Sequence, residues 1–302
     1  MREPWAESAE ESDTLSLVRR ALMNLMRNRF SLLMWIAAAT LSAVVSTHTQ
    51  WLHSPTAGAP RTRDGKVDMT GRVPRVDGKP DLSGLWQVQG DPRAPGGLFG
   101  LGESLNSRYF RNVLADYPAD KAPLTPDGLA RLKQNLQPTT FNPVLNCLPD
   151  GVPHGDLLPE PFKVVHSKGV ILFLYEVETT FRQVFMDGRK LPIDPSPAWQ
   201  GYSVGRWEGD TLVVDTIGFN DRSWLDARGT PHSEDMRVEE RFRRRDYGHI
   251  YLTITITDPK TFTQPITFSV VLDLMPDTDL LEHYCAENEK DDARIRGAAS
   301  RK

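Results

Sequence analysis

The chain has 302 residues, enough for one large or two small domains, and its 39% hydrophobic and 25% charged residues are ordinary for a globular protein. A formal net charge of -4 argues against a nucleic-acid partner, because neutralising phosphates requires a clustered surplus of Lys and Arg. The 23 Pro and 22 Gly residues predict many turns and long connections.

Residues 1–46 have the pattern of an N-terminal extension followed by a targeting segment. Residues 30–45, FSLLMWIAAATLSAVV, carry no charge, and four Arg residues between positions 19 and 29 precede them. This pattern predicts a signal peptide cleaved after Ser46, with Met1 and Met26 as alternative starts. The alternative is an uncleaved anchor helix, which would be the one contact with the membrane. We therefore predict an exported protein that is periplasmic, secreted or anchored to the inner membrane.

Residues 47–80 are predicted to form a flexible linker. Between positions 53 and 80 the chain holds Pro, Gly and charge without periodicity, so it cannot bury enough apolar area to offset its chain entropy. A β domain is predicted for residues 81–291 and a charged tail for residues 292–302. Within the domain, Thr125 and Pro126 have the pattern of the N-cap and first residue of a short helix.

Short strands dominate the predicted domain after Pro161. Turn residues separate β-prone runs near Gly209, Gly248 and Pro276, and the last turn would join residues 266–274 to a strand at 279–285. Eight or more strands without a βαβ alternation predict a mainly β fold, either an antiparallel β-barrel or a sandwich, with one or two short helices. We favour the barrel, because closure removes sheet edges and encloses a cavity.

Five segments resemble a group of uncharacterised exported proteins of soil bacteria. They are PDLSGLW at 80–86, CLPDGVP at 147–153, GRWEGDTLVVDT at 205–216, GFND at 218–221 and ENEK at 287–290. The resemblance implies an exported protein and implies no activity. A weaker resemblance, to lipocalin-type (calycin-like) barrels, rests on Gly84 and Trp86, because these barrels carry Gly-x-Trp in their first strand.

The two cysteines of the chain are Cys147 and Cys285. In a cytosolic protein they would be free thiols, but an even pair in an exported protein is more often bridged. We therefore predict a disulfide between them. The chain-entropy model assigns such a loop a stabilisation of about 5 kcal/mol.

The loop at 217–235 is long for a hairpin connection, and long loops often carry function. Within it, His232 and a nearby carboxylate, Asp221 or Glu234, have the composition of a general base with its partner. Asn220 and Trp224 are candidate ligand-binding residues in the same loop. The alternative is a hydrogen-bonded turn in which the His is structural.

Glu240 shares its strand face with Val238 and Phe242, so it is predicted to face the interior. A carboxylate there must be paired or have a raised pKa, and Arg182 is the predicted partner. Such a pair could act in catalysis or ligand binding, or it could be purely structural.

Two more ligand-binding residues are predicted on strands, Tyr202 and His283, the latter on the last strand and lining the cavity. His154 and Asp156 would supply only two metal ligands on a Pro/Gly loop, so neither a metal nor another cofactor is predicted. No phosphate loop, dinucleotide fingerprint or nucleophile elbow is present in the sequence.

Three hypotheses for the function follow. The first is an exported barrel that binds a small, hydrophobic molecule in its interior. The second is a non-redox enzyme, a hydrolase, isomerase or cyclase, in which His232 acts with Asp221, Glu234 or Glu240. The third is a structural or interaction protein of the cell envelope.

Overall fold

The computed structural model describes residues 54–90 and 107–285. The predicted targeting segment, its cleavage site and the charged tail lie outside these residues. Across the described ranges, no helix is both long and apolar enough to span a membrane.

Within the described residues, strands β3 to β11 close into one barrel, and a small separate hairpin is formed by β1 and β2. The strands are β1 Arg75–Val76, β2 Lys79–Pro80, β3 Gly84–Val88, β4 Phe162–Ser167, β5 Val170–Tyr175, β6 Phe181–Phe185, β7 Tyr202–Glu208, β8 Thr211–Ile217, β9 Arg237–Arg244, β10 His249–Thr257 and β11 Ile266–Leu274. Each barrel strand pairs with its neighbours in chain order, and β11 returns to β3. The mainly β barrel is confirmed, and closure of the sheet excludes the sandwich.

One pair of barrel strands departs from the antiparallel expectation. β6 and β7 run parallel, with Val184 opposite Ser203, whereas the other barrel pairs are antiparallel. The chain between them spans residues 186–201, and this longer connection lets the second strand enter from the same end as the first.

In the part of the chain that the structure describes, three short α-helices accompany the barrel, α1 Arg108–Arg111, α2 Pro126–Asn135 and α3 His154–Leu157. Helix α2 begins where the sequence indicates, because Oγ1 of Thr125 accepts a hydrogen bond from the N–H of Gly128 at 3.0 Å and Pro126 needs no donor in the first turn. Gly128 is required there, since a Cβ would lie 2.4 Å from the carbonyl oxygen of Thr261.

Alternation along the strands builds the barrel core. On β10, every second side chain is buried, as the sequence pattern predicts; these are Ile250, Leu252, Ile254 and Ile256. The apolar side chains that fill the interior are joined by two buried charges on β9, Glu240 and Arg244.

Arg244 marks one end of the barrel. Its guanidinium lies 4.9 Å from the ring centroid of Trp86 and donates to the carbonyl oxygens of Asp81 and Tyr247. Residues of the predicted linker cover the same end: the N–H of Gly248 donates to the carbonyl of Met69 at 2.7 Å, and the N–H of Tyr247 donates to that of Gly71 at 2.8 Å. Part of the segment predicted to be a flexible linker therefore lies against the barrel.

The opposite end is covered by residues 150–158, which we call the plug segment. All its residues are buried, and it contains α3. Gly155 packs against the ring of Tyr175, the last residue of β5. The plug segment therefore brings polar side chains to the barrel end at which β5 ends and β6 begins.

The predicted disulfide between Cys147 and Cys285 is confirmed, with the two Cα atoms 5.6 Å apart.

The predicted strand at 279–285 is wrong, because no strand follows Leu274 within the described residues. β11 already pairs with β10 on one side and with β3 on the other, so no free edge is left for a further strand. Residues 275–285 instead run beside the barrel to the disulfide.

Candidate functional site

A buried ion pair lies in the barrel interior at the plug end. Arg182 of β6 donates from Nη1 to Oε1 of Glu240 at 3.1 Å and from Nη2 to Oε2 of the same residue, the two-point geometry that favours Arg for carboxylates. Its Nε donates to Ser203 at 2.9 Å, and Nη2 also donates to Thr216 at 2.7 Å. The predicted pairing of Arg182 with Glu240 is therefore present.

Asp156 connects the plug segment to this ion pair. Its Oδ1 accepts a hydrogen bond from the hydroxyl of Tyr175 at 2.8 Å, and its Oδ2 lies 3.7 Å from Nη1 of Arg182. Complete burial and the neighbouring charge of Glu240 raise the pKa of Asp156 well above its usual value. This shift favours the protonated form of Asp156. We call the side chains of Arg182, Glu240, Asp156 and Tyr175, with the two hydroxyls of Ser203 and Thr216, the interior network.

A second group of ionisable side chains, which we call the acidic cluster, surrounds the beginning of the plug segment. Its members are Asp150, His154, Glu160 and Glu178. Nδ1 of His154 lies 3.1 Å from Oδ1 of Asp150, and both side chains are nearly inaccessible, with 2% and 5% of their surface exposed. The ring of His154 stacks on Phe110, with the ring centroids 5.6 Å apart.

Several polar atoms of the acidic cluster are buried without a hydrogen-bond partner among the described residues. They are Oδ1 of Asp150, both ring nitrogens of His154 and Oε2 of Glu178. The short contact between Asp150 and His154 is therefore an ionic contact rather than an aligned hydrogen bond. Buried polar atoms normally have partners, and in the interior network only Oδ2 of Asp156 has no hydrogen-bond partner among the described residues, so such atoms are concentrated in the acidic cluster.

Glu178 is held in an unusual backbone conformation. It has φ = 60° and Thr179 has φ = 50°, left-handed values that are rare for residues other than Gly. His283 fixes this corner: its Nδ1 accepts from the N–H of Glu178 at 3.3 Å, and its carbonyl accepts from the Thr179 hydroxyl at 2.9 Å. Strain of this kind persists where the surroundings impose it, and it is concentrated at functional sites.

Three members of the acidic cluster, His154, Glu160 and Glu178, have raised pKa values. Burial and the charge of Asp150 raise the pKa of Glu178 to about 7. Burial acts to lower the pKa of His154, but the attraction of Asp150 outweighs it, so the net shift is upward. Burial also raises the pKa of Glu160. Among the described residues, no group of three or more His, Cys, Asp or Glu side chains has the arrangement of a metal site.

His232 is buried in the loop at 217–235, and its hydrogen bonds differ from the predicted ones. Its Nε2 lies 2.9 Å from Oγ of Ser223, and its Nδ1 lies 3.2 Å from the carbonyl oxygen of Ser233. Burial lowers the pKa of His232, so the ring is neutral at pH 7. A neutral ring that donates from Nδ1 to the carbonyl accepts at Nε2 from the serine hydroxyl.

The carboxylates predicted to act with His232 lie elsewhere. Asp221 is exposed and 3.9 Å from Arg131, and Glu234 is exposed. Glu240 is bonded to Arg182 in the interior network. None of these three carboxylates is hydrogen-bonded to His232, although the charge of Asp221 acts on the ring, so their joint action with His232 stays a prediction.

The predicted ligand-binding residues outside the interior network are also dispersed. The hydroxyl of Tyr202 accepts from Arg189 at 3.2 Å, and Oδ1 of Asn220 accepts from the N–H of Arg222 at 3.2 Å. Trp224 is half-buried. His283 is exposed, so the prediction that it lines the interior is wrong; it lies beside the barrel because residues 279–285 form no strand.

Sequence reasoning did not identify Asp150, Glu178 or Ser223 as site residues. Asp150 lies in the segment CLPDGVP, which the resemblance singles out, and is followed by His154. Glu178 carries no comparable signal, because its role depends on contact with a residue 28 positions earlier in the chain. Ser223 lies within the loop that sequence length alone marks as a functional candidate.

Comparisons with protein-family models, with curated proteins and with solved structures found no match to this chain. The resemblance to exported proteins of soil bacteria and the resemblance to lipocalin-type barrels therefore stay predictions. The function has to be inferred from the geometry of the barrel and its polar side chains.

Proposed function

We propose that this protein is an exported barrel that binds a small, mostly apolar molecule at the acidic cluster, where the plug segment covers the barrel. The observation that carries the proposal is the set of buried polar atoms without partners on Asp150, His154 and Glu178. A few convergent polar groups beside apolar side chains are typical of a small-molecule site. Phe110, stacked on His154, offers the apolar contact.

The ligand position differs from the one expected deep in the barrel. Arg182 already donates to Glu240, Ser203 and Thr216, so the interior network leaves little for a ligand to bond. The acidic cluster, in contrast, combines buried atoms with the half-buried Glu178 and Glu160, through which a ligand can approach. The site is therefore proposed beside the plug segment.

Export and a lipocalin-type architecture are parts of the same proposal. The disulfide between Cys147 and Cys285 supports an oxidising compartment, where such bonds persist. Gly84 and Trp86 stand on β3, the first strand of a closed barrel with sequential pairing, which supports the lipocalin likeness. The parallel pair of β6 and β7 is a departure from an up-and-down antiparallel barrel.

Native mass spectrometry of the protein purified from its own cell envelope tests the proposal. We expect a retained small molecule in the wild type and its loss in Asp150→Asn. Asp235→Asn is the matched control, because that exposed carboxylate pairs with Lys260 and belongs to neither the acidic cluster nor the interior network. A wild-type protein that carries no added mass, and whose melting temperature no member of a metabolite library shifts, would contradict small-molecule binding and favour an envelope interaction protein.

A second candidate function, a serine hydrolase, is favoured by the contact of Ser223 with His232. In this chemistry Oγ of Ser223 attacks an ester carbonyl, Nε2 of His232 takes the hydroxyl proton and returns it to the leaving alcohol, and water then releases the acid. The 2.9 Å distance and the neutral ring are the required starting state. The 4% exposure of Ser223 limits access.

A fluorophosphonate probe tests this second candidate, because it forms a covalent adduct with an activated serine. A single adduct in the wild type that is absent from Ser223→Ala would support it. Ser269→Ala is the control, since that hydroxyl lies on the outer face of β11 and bonds Thr253. An unmodified wild-type mass after prolonged exposure would exclude an activated Ser223.

A further inference from the structure

We propose that the acidic cluster binds the ammonium group of a small organic amine. This inference rests on the proposed binding function and names the chemical class of the ligand. Asp150 connects the members of the cluster: its Oδ1 lies 3.1 Å from Nδ1 of the buried His154, and its negative charge acts on both Glu160 and Glu178. Carboxyl groups therefore outnumber the cationic side chain among them, and a ligand that brings positive charge relieves the imbalance.

Glu178 supplies the strongest argument, because no cationic side chain of the described residues compensates its charge. The two influences on its pKa are burial and the negative charge of Asp150, and both oppose its ionisation. Its Oε2 is buried and accepts no hydrogen bond from the described residues. A carboxylate accepts hydrogen bonds and donates none, so the group that completes this site must be a donor.

Two oxygens of the cluster match an ammonium group in kind. Oε2 of Glu178 has no hydrogen-bond partner among the described residues, and Oδ1 of Asp150 has the ionic contact with His154 but no aligned hydrogen bond. Both are acceptors, and an alkylammonium carries three N–H donors with a positive charge. Charge-assisted hydrogen bonds of this type are about twice as strong as neutral ones. A carboxylate or phosphate ligand would instead add negative charge beside Asp150 and Glu160.

An organic cation fits better than a metal ion. The described residues contain no group of three or more potential ligands in a metal-binding arrangement. The neighbouring surface is aromatic, since Phe110 stacks on the ring of His154 at 5.6 Å between centroids. A cation attached to a small apolar body would use both features, because aromatic faces attract cations and pack against apolar groups.

Isothermal titration at pH 8 with three probes of similar size tests the inference: benzylammonium, benzyl alcohol and benzoate. We expect benzylammonium to bind at least tenfold more tightly than either of the others. Glu178→Gln and Asp150→Asn should each weaken it at least tenfold while leaving the protein folded, as checked by thermal unfolding. Glu239→Gln, on the barrel wall beside Arg241, is the matched control and should leave the affinity unchanged.

The outcomes separate this inference from the proposed function. Equal or tighter binding of benzyl alcohol or benzoate, weakened by Asp150→Asn, would overturn the ammonium assignment and leave small-molecule binding at the cluster intact. Benzylammonium binding that neither cluster variant weakens would overturn the assignment of the site. If none of the three probes binds, the ammonium inference is rejected, and native mass spectrometry of the envelope-purified protein decides on the binding function independently.

Discussion

The interior network and the acidic cluster both include side chains of the plug segment, and they differ in how fully their buried charges are bonded. Arg182 meets Glu240 at two points and bonds two hydroxyls, and Asp156 accepts from Tyr175. In the acidic cluster, Asp150 and Glu178 repel each other and keep oxygens without partners. The first group joins the plug segment to the barrel, whereas the second leaves bonding capacity for a ligand.

This difference has a general physical meaning. A buried charge with all its partners present contributes to a defined fold, and removing one partner is costly because the other is left alone. A buried charge beside a like charge weakens the fold, and such groups are retained at sites where function needs them. Substitutions in the two groups should therefore change stability with opposite sign.

The largest effect is expected from Arg182→Met. It leaves Glu240 buried without its cation, which destabilises the fold by about 3–5 kcal/mol. Urea unfolding measures the loss, with Arg241→Met as control, because the exposed pair of Arg241 and Glu208 contributes about 0–1 kcal/mol. If Arg182→Met does not fold, the double variant with Glu240→Leu should recover a folded protein. Equal losses of stability in Arg182→Met and its control would show that the interior network does not stabilise the fold.

The next effect is expected from removing the disulfide, in Cys147→Ser with Cys285→Ser. The bond joins residues 138 positions apart, and its loss should cost about 2–4 kcal/mol by enlarging the unfolded ensemble. Because Cys285 follows His283, which bonds the Glu178 corner, the double variant should also weaken binding at the acidic cluster. Chemical denaturation and ligand titration measure the two effects. Unchanged ligand affinity would show that the disulfide does not support binding at the acidic cluster.

A smaller effect distinguishes two substitutions of Asp156. Asp156→Ala leaves the buried hydroxyl of Tyr175 without its acceptor and should lower the free energy of unfolding by about 1–3 kcal/mol. Asp156→Asn resembles the protonated acid and should lower it less. The folded-state pKa of Asp156 is raised, so wild-type stability falls as pH rises above the unfolded value of about 4. The stability of Asp156→Asn relative to the wild type should therefore increase as pH rises. A decrease over this range would show that Asp156 is ionised.

The smallest effect, and the one of opposite sign, is expected from Glu178→Gln. The folded-state pKa of about 7 lies above the ordinary Glu value of 4.5, so wild-type stability falls as pH rises between these values. Solvent screening of this half-buried group limits the gain of the Gln variant to about 1 kcal/mol at pH 8, with no gain at pH 4. Unfolding at both pH values measures it. A loss of stability at pH 8 would mean that Glu178 is paired in the fold.

Local patterns predict those parts of the fold that depend on neighbouring residues. The alternation on β10, the turn between β7 and β8, and the Thr125 cap are present because strand periodicity, turn chemistry and capping act over a few residues. The strand expected at 279–285 fails for the complementary reason. A strand needs a free edge, and whether β11 has one is decided by β3, almost two hundred residues earlier.

The candidate site divides in the same way. The sequence predicts that Glu240 faces inward, because it shares a strand face with apolar residues. Arg182 is the predicted partner because it lies on another strand that a barrel could bring to Glu240. Ser223 beside His232, and Glu178 beside Asp150, carry no such pattern. Their proximity depends on how the loop and the plug segment pack on the finished barrel.

By itself, the sequence determined most of the barrel strands, the inward face of Glu240, the helix cap and the pair of cysteines available for a bond. Only the tertiary structure decided which buried charges are compensated. Periodicity specifies the direction in which a side chain points, but compensation depends on distances between atoms that closure of the barrel brings together. The same closure that brings Arg182 to Glu240 leaves Glu178 exposed to the negative charge of Asp150.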